Sequence, residues 1–106
     1  STMLPFDLPN GELTPELGYI IGNSKSASPI LTTVVCEDSI VGKKSNLVDS
    51  LVMSGSKIGD DCKIVESIIG ENVTISDSCE LFNCVIGDNV TIDMGTILND
   101  QKVSSS

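Results

Sequence analysis

Aliphatic residues recur along this chain with a period of seventeen. One column reads Val35, Val52, Ile69, Ile86 and Val103, a second Val41, Ile58, Ile75 and Ile92, and a third Ile30, Leu47, Ile64, Leu81 and Leu98. Setting residues 58–74 (IGDDCKIVESIIGENVT) over residues 75–91 (ISDSCELFNCVIGDNVT) gives eight identities in seventeen positions. Within one period the aliphatic positions step by six, five and six residues. A helix would repeat apolar residues at three and four, and a half-buried flat strand at two. Steps of five and six belong to a chain that turns a corner about every six residues. Three short strands then close one triangular coil, and each coil stacks on the one before. The predicted fold class is all-β, a parallel β-helix of hexapeptide-type repeats with about four coils of 17 residues over 30–103. Each coil contacts only its neighbours, so a single coil is not expected to fold alone.

Small residues follow the same period. Ser45, Cys62, Cys79 and Thr96 make one column expected to point inward, and Thr33, Ser50, Ser67 and Cys84 make another. Gly42, Gly59, Gly70 and Gly87 each follow an aliphatic residue, where backbone angles penalised by a Cβ are expected. Asn72 and Asn89 recur at a turn and suit left-handed backbone. The register fails before Ile30, because the position expected to be aliphatic is Ser24. Residues 1–29, with Pro5, Pro9, Pro15 and Pro29, read as a linker or N-terminal cap. Within them, residues 18–22 (GYIIG) read as a strand or a cap over the first coil, and residues 104–106 read as a disordered tail.

Composition narrows the function. Net charge is −9, all six cations are lysine, and there is no Arg. Nucleic-acid binding rests on clustered cations, and bidentate phosphate recognition on Arg, so nucleic acid and anionic membrane are not expected partners. No apolar run approaches the roughly 20 residues that span a bilayer, and no charged-then-apolar leader is read at the start. A cytoplasmic location and reduced thiols are the corresponding expectations for Cys36, Cys62, Cys79 and Cys84. Cys62 and Cys79 share a column at the spacing of stacked strands, within reach of a disulfide. They are read as small buried thiols instead.

The chain has no His. Acyltransferases of this repeat class use a His as general base, and the carbonic anhydrase of the class binds its metal through His. Neither activity is expected here, and no catalytic, cofactor or metal residue is assigned. Acidic residues should stack as Asp60 on Asp77 and Glu71 on Asp88. Such columns are the raw material of a calcium site, but they read as solvated corners partly offset by Lys43 over Asp60 and Lys63 over Glu80. The candidate interaction strip is Leu51, Val52 and Met53, where Met53 breaks the glycine pattern at its corner. Open strand edges and flat faces predict a partner protein or self-association.

Residues 50–59 (SLVMSGSKIG), 66–70 (ESIIG) and 83–92 (NCVIGDNVTI) resemble the C-terminal β-helix of nucleotidyltransferase-like proteins. That group includes sugar-nucleotide pyrophosphorylases and two subunits of eukaryotic translation initiation factor 2B, and residues 51–53 and 67–69 look most like the gamma subunit. The resemblance implies a left-handed β-helix, against the usual right-handed crossover rule. It also implies a non-catalytic module excised from a longer parent that contacts other subunits of its complex, the epsilon subunit first. The alternative it implies is the C-terminal oligomerisation domain of a sugar-1-phosphate nucleotidyltransferase such as mannose-1-phosphate guanylyltransferase. A hexapeptide acyltransferase is the least favoured reading.

Overall fold

The computed structural model describes residues 10–105, which hold seventeen strands of two or three residues, sixteen of them building a parallel β-helix. The first face stacks Tyr19–Ile21, Val34–Val35, Leu51–Val52, Ile68–Ile69, Val85–Ile86 and Lys102–Val103. The second stacks Lys25–Ser26, Ile40–Val41, Lys57–Ile58, Thr74–Ile75 and Thr91–Ile92. The third stacks Ile30–Leu31, Asn46–Val48, Lys63–Val65, Glu80–Phe82 and Ile97–Asn99. The chain visits the faces in that order, so there are five complete coils, one more than the sequence columns suggest, and Lys102–Val103 opens a sixth.

Alternation along each strand points one side chain inward, and the ladder register aligns it with its counterparts above and below. Val35, Val52, Ile69 and Ile86 pair in this way, as do Leu47, Ile64 and Leu81. These ladders form the core, and each of the seven is at most 1 % exposed. Full burial of one such side chain contributes roughly 1.5–3 kcal/mol. Val and Ile suit this role because β-branched side chains are stiff at χ1 and pack well on a pleated surface.

The corners are equally regular. Asp38, Gly55, Asn72 and Asn89 occupy the turn between the first and second faces, all with positive φ. Lys44, Asp61, Ser78 and Gly95 do so between the second and third. Thr32, Asp49, Glu66, Asn83 and Asp100 do so between the third face and the next coil. One left-handed residue at each corner of the 17-residue coils sharpens the turn, and Asn and Asp are the non-glycine residues that accept it best.

The stack begins earlier than the sequence columns indicate. Tyr19–Ile21 lies parallel to Val34–Val35, and Lys25–Ser26 lies parallel to Ile40–Val41. The first coil repeats at 15 residues, not 17, as seen where Ser39 N–H donates to Ser24 Oγ across 15 positions and Ser50 N–H donates to Thr33 Oγ1 across 17. Ser24 is therefore not a misplaced aliphatic. It sits above Ser39 in an inward corner column, and Ser26 takes the aliphatic position above Val41. Gly11–Leu13 then pairs antiparallel with Tyr19–Ile21 and covers the outer edge of the first face. The expectation of a linker over residues 1–9 lies outside the described residues. Ser104 and Ser105 are exposed and carry no strand, and residue 106 is likewise outside.

Small residues at the corners prove to be hydrogen-bonding devices. Ser39 Oγ donates to the Met53 carbonyl at 2.9 Å and accepts from Ser56 N–H at 3.2 Å. Ser56 Oγ donates to the Gly70 carbonyl at 2.7 Å and accepts from Val73 N–H at 3.0 Å. Ser45 Oγ likewise bridges the Gly59 carbonyl at 2.8 Å and Cys62 N–H at 3.0 Å. Strand ladders break where the chain turns, and these hydroxyls satisfy the buried peptide groups left there.

Candidate interaction surface

The strip expected at residues 51–53 divides in the structure. Leu51 and Met53 are half-buried and face outward, whereas Val52 is 0 % exposed and belongs to the core. Alternation dictates this, since consecutive strand residues point to opposite sides. Val52 is therefore removed from the candidate surface. In its place the structure joins Leu51 to Val34 above and to Ile68 and Val85 below, all on the outward side of the first face. Ile68 and Val85 are 44 % and 41 % exposed. Two residues further along each coil lie Cys36, Met53, Gly70 and Gly87, which form a second uncharged column. The signal was present in the sequence: an aliphatic residue immediately precedes Val35, Val52, Ile69 and Ile86.

From Tyr19 to Gly87 these outward columns bear no charged side chain, with Lys102 following at the last rung, and neither other face has so long an uncharged stretch. The second face presents Lys25, Ile40, Lys57, Thr74 and Thr91. The third combines an apolar column of Leu31, Val48, Val65 and Phe82 with Asn46, Lys63, Glu80 and Ile97. A shallow depression of about 240 Å³ on that face is lined by Lys63, Val65, Glu80, Phe82, Ile97 and Asn99, among others. Its single ammonium and single carboxylate lie on paired strands and form no nucleophile–base arrangement.

The acidic columns have a structural use that sequence reasoning missed. Asp77 Oδ1 accepts Asp60 N–H at 2.8 Å, Asp60 Oδ1 accepts Lys43 N–H at 2.9 Å, and Asp88 Oδ1 accepts Glu71 N–H at 2.8 Å. Each carboxylate thus pins the turn of the preceding coil by a charge-assisted bond. Among the described residues no group of three or more His, Cys, Asp or Glu is arranged to hold a metal ion. The same bonds explain Gly42, Gly59 and Gly70. Their φ values are not positive, contrary to the expectation of special backbone angles. A Cβ at each would instead meet the Asp60, Asp77 or Asp88 carboxylate.

The four cysteines are free. Cys62 Sγ points to the Ser76 carbonyl at 3.2 Å and Cys79 Sγ to the Asp93 carbonyl at 3.0 Å, the positions a serine hydroxyl takes one coil earlier. Burial pushes the Cys62 thiol above its ordinary range. At Cys36 burial and then the nearby Glu71 carboxylate act in the same direction.

At the C-terminal end Thr91–Ile92, Ile97–Asn99 and Lys102–Val103 are the last rungs of their sheets, and no described strand pairs beyond them. Ile97 is 63 % exposed there.

What the molecule offers is thus a prism with one face uncharged from Tyr19 to Gly87 and no assembled reaction centre among the described residues. No curated protein matches the chain. A family model does: the GMPPB C-terminal domain, over residues 21–106. The match begins within the first coil and runs through the other four, which accords with the early start of the stack. It lies with sugar-1-phosphate nucleotidyltransferases and gives no support to the initiation-factor gamma subunit. With hexapeptide-type coils from Tyr19 to Val103 and that match across them, the chain belongs to the GMPPB C-terminal domain family, the hexapeptide-repeat domain of sugar-1-phosphate nucleotidyltransferases.

Proposed function

We propose that this chain is the non-catalytic assembly module of a sugar-1-phosphate nucleotidyltransferase, with mannose-1-phosphate guanylyltransferase as the specific candidate. Nucleotidyl transfer is assigned to a separate catalytic domain, and the β-helix holds that domain in its complex by docking its first face. The observation that carries this reading is the outer surface of that face, uncharged from Tyr19 to Gly87 on a chain of net charge −9. A contiguous apolar patch that survives on so acidic a protein marks a contact site. The chemistry agrees: there is no His, and the corner hydroxyls of Ser39, Ser45 and Ser56 are committed to backbone carbonyls.

The test mixes the chain with the catalytic domain of a guanylyltransferase of this family and follows it by size-exclusion chromatography with light scattering. Turnover of GTP and mannose 1-phosphate is measured in parallel. The expected result is a stoichiometric complex, with no turnover by the chain alone. Turnover by the isolated chain, or a stoichiometric complex with the epsilon subunit of the initiation factor in place of the catalytic domain, overturns the reading.

A further inference from the structure

The borders of the first face carry a charge pattern that the assembly reading does not use. Along the corner leading to the second face stand Glu37, Asp38, Glu71 and Asp88, and along the corner from the third stand Asp49 and Glu66. All six are exposed. Between these rims the outward columns bear no charge from Tyr19 to Gly87, and Lys102 at the last rung is the one cation on the face among the described residues. The other five lysines lie elsewhere: Lys25 and Lys57 on the second face, Lys63 on the third, and Lys43 and Lys44 at the corner between those two. The first face is thus an apolar strip inside an acidic frame.

We infer that the first face selects a partner carrying an apolar ridge flanked on both sides by lysine or arginine. This rests on the reading of the face as the docking surface and specifies the chemistry of what docks. Opposite charges at the rim of an apolar contact favour encounter, and like charges set against each other cost several kcal/mol. A second copy pairing face to face through a twofold axis would bring its own acidic frame against this one. The frame therefore selects against self-pairing as well as for a basic-edged partner.

The dimensions suit an amphipathic helix lying along the prism. Stacked strands repeat every ~4.8 Å, and a helix repeats its facing side chains every ~5.4 Å. The two outward columns lie two residues apart along the strand, roughly 6.6 Å by extended-chain geometry. A helix about 10 Å across covers both columns and brings flanking cations to the rims. The Cys36 thiol, raised by burial and then by Glu71, places a rim carboxylate within electrostatic reach of the second column.

The test uses an 18-residue amphipathic helical peptide with a leucine ridge flanked by lysine, a matched peptide flanked by glutamate, and fluorescence anisotropy with the intact chain. Three variants are compared: Ile68→Gln with Val85→Gln on the strip, Glu37→Gln with Glu66→Gln and Glu71→Gln on the frame, and Asp61→Asn with Glu80→Gln and Asp93→Asn as a charge-matched control elsewhere. The lysine-flanked peptide is expected to bind in preference to the glutamate-flanked one. Strip and frame variants should each weaken it about tenfold, a loss near 1.4 kcal/mol, and the control by less than about twofold. Equal losses in frame and control variants would reduce the effect to net charge and overturn the inference. So would an unchanged Kd in the strip variant, or a dimer of the free chain that dissolves on substituting Ile68. A complex with the catalytic domain that persists while the peptide fails removes the inference and leaves the assembly reading standing.

Discussion

Asp77 Oδ1 occupies the space that a Cβ on Gly59 would need, and Asp60 N–H donates to that same oxygen at 2.8 Å. One carboxylate therefore fixes two features of the repeat, the turn above it and the glycine it packs against. Gly59→Ala should destabilise the protein by about 1–3 kcal/mol, the usual range for overpacking. Asp77→Ala should cost about 1 kcal/mol through its lost hydrogen bond. In the Asp77→Ala background the glycine substitution should cost less, with a remainder set by backbone atoms of Asp77 and Ser76 at 2.9 and 3.0 Å. Urea unfolding of the four species of this cycle measures the coupling. Strict additivity would contradict the shared role.

The corner serines are predicted to matter through their hydrogen bonds more than their size. Ser56 is 0 % exposed and serves both Gly70 O and Val73 N–H. Ser56→Ala leaves a buried donor and a buried acceptor without this partner, at about 1–3 kcal/mol for each unsatisfied group. Ser56→Cys should cost less, since Cys62 and Cys79 already stand in for serine in the neighbouring column. Thermal melts of the two variants should fall in that order, and equal melting temperatures would show that volume alone is required.

Left-handed corners offer a stabilising change. Lys44 holds φ at 57° while exposed at the turn between the second and third faces. Left-handed backbone costs an ordinary residue about 1–2 kcal/mol, and Asn tolerates it better. Lys44→Asn is expected to raise stability by about 0.5–1 kcal/mol, and Lys44→Val to lower it. Urea midpoints check both. A loss in the Asn variant would mean that the lysine makes a contact of greater value than the strain it bears.

The raised thiols of Cys36 and Cys62 give stability a pH dependence. Their ordinary value is 9.0 and burial lifts both. The unfolded thiol ionises first on raising pH, so the folded state holds the proton more tightly. The stability contributed is fully present below pH 9.0 and is lost as pH rises from there through the folded value. Cys62→Ser, which copies Ser45 one coil earlier, should reduce the alkaline loss of stability between pH 8 and 11 relative to the parent chain. Identical pH profiles would show that the Cys62 thiol does not contribute.

Most of the architecture was legible because the period of seventeen is strict from Ile30 to Val103 and aliphatic ladders announce their own register. The first coil was legible only at residues 18–22, which read as a strand or cap and hold the strand Tyr19–Ile21. Its corner is two residues shorter, so Ser24 fell under the wrong column, and no local composition marks a deletion inside a turn. The corner serines were recognised as small, but size does not reveal which peptide groups a turn leaves unpaired. The glycines were assigned to backbone freedom because an aspartate eighteen residues later gives no sequence sign of where its oxygen points. The outward side of the first face was half-read. Leu51 and Met53 were noticed while the same outward column through Val34, Ile68 and Val85 was not, and Val52 was included although alternation turns it inward.

Under the proposed function, the outward side of the first face is where the chain joins its complex. The most direct test of this is sedimentation of an equimolar mixture of chain and guanylyltransferase catalytic domain, with Ile68→Asp compared to the parent. Ile68 is 44 % exposed on the outward side, so the variant should stay folded with a modest fall in melting temperature, since strands favour Ile over Asp. Co-sedimentation of the parent chain and its loss in an Ile68→Asp chain that is still folded at the assay temperature is the predicted result. A complex that survives Ile68→Asp intact would contradict the account and move the contact to another face of the prism.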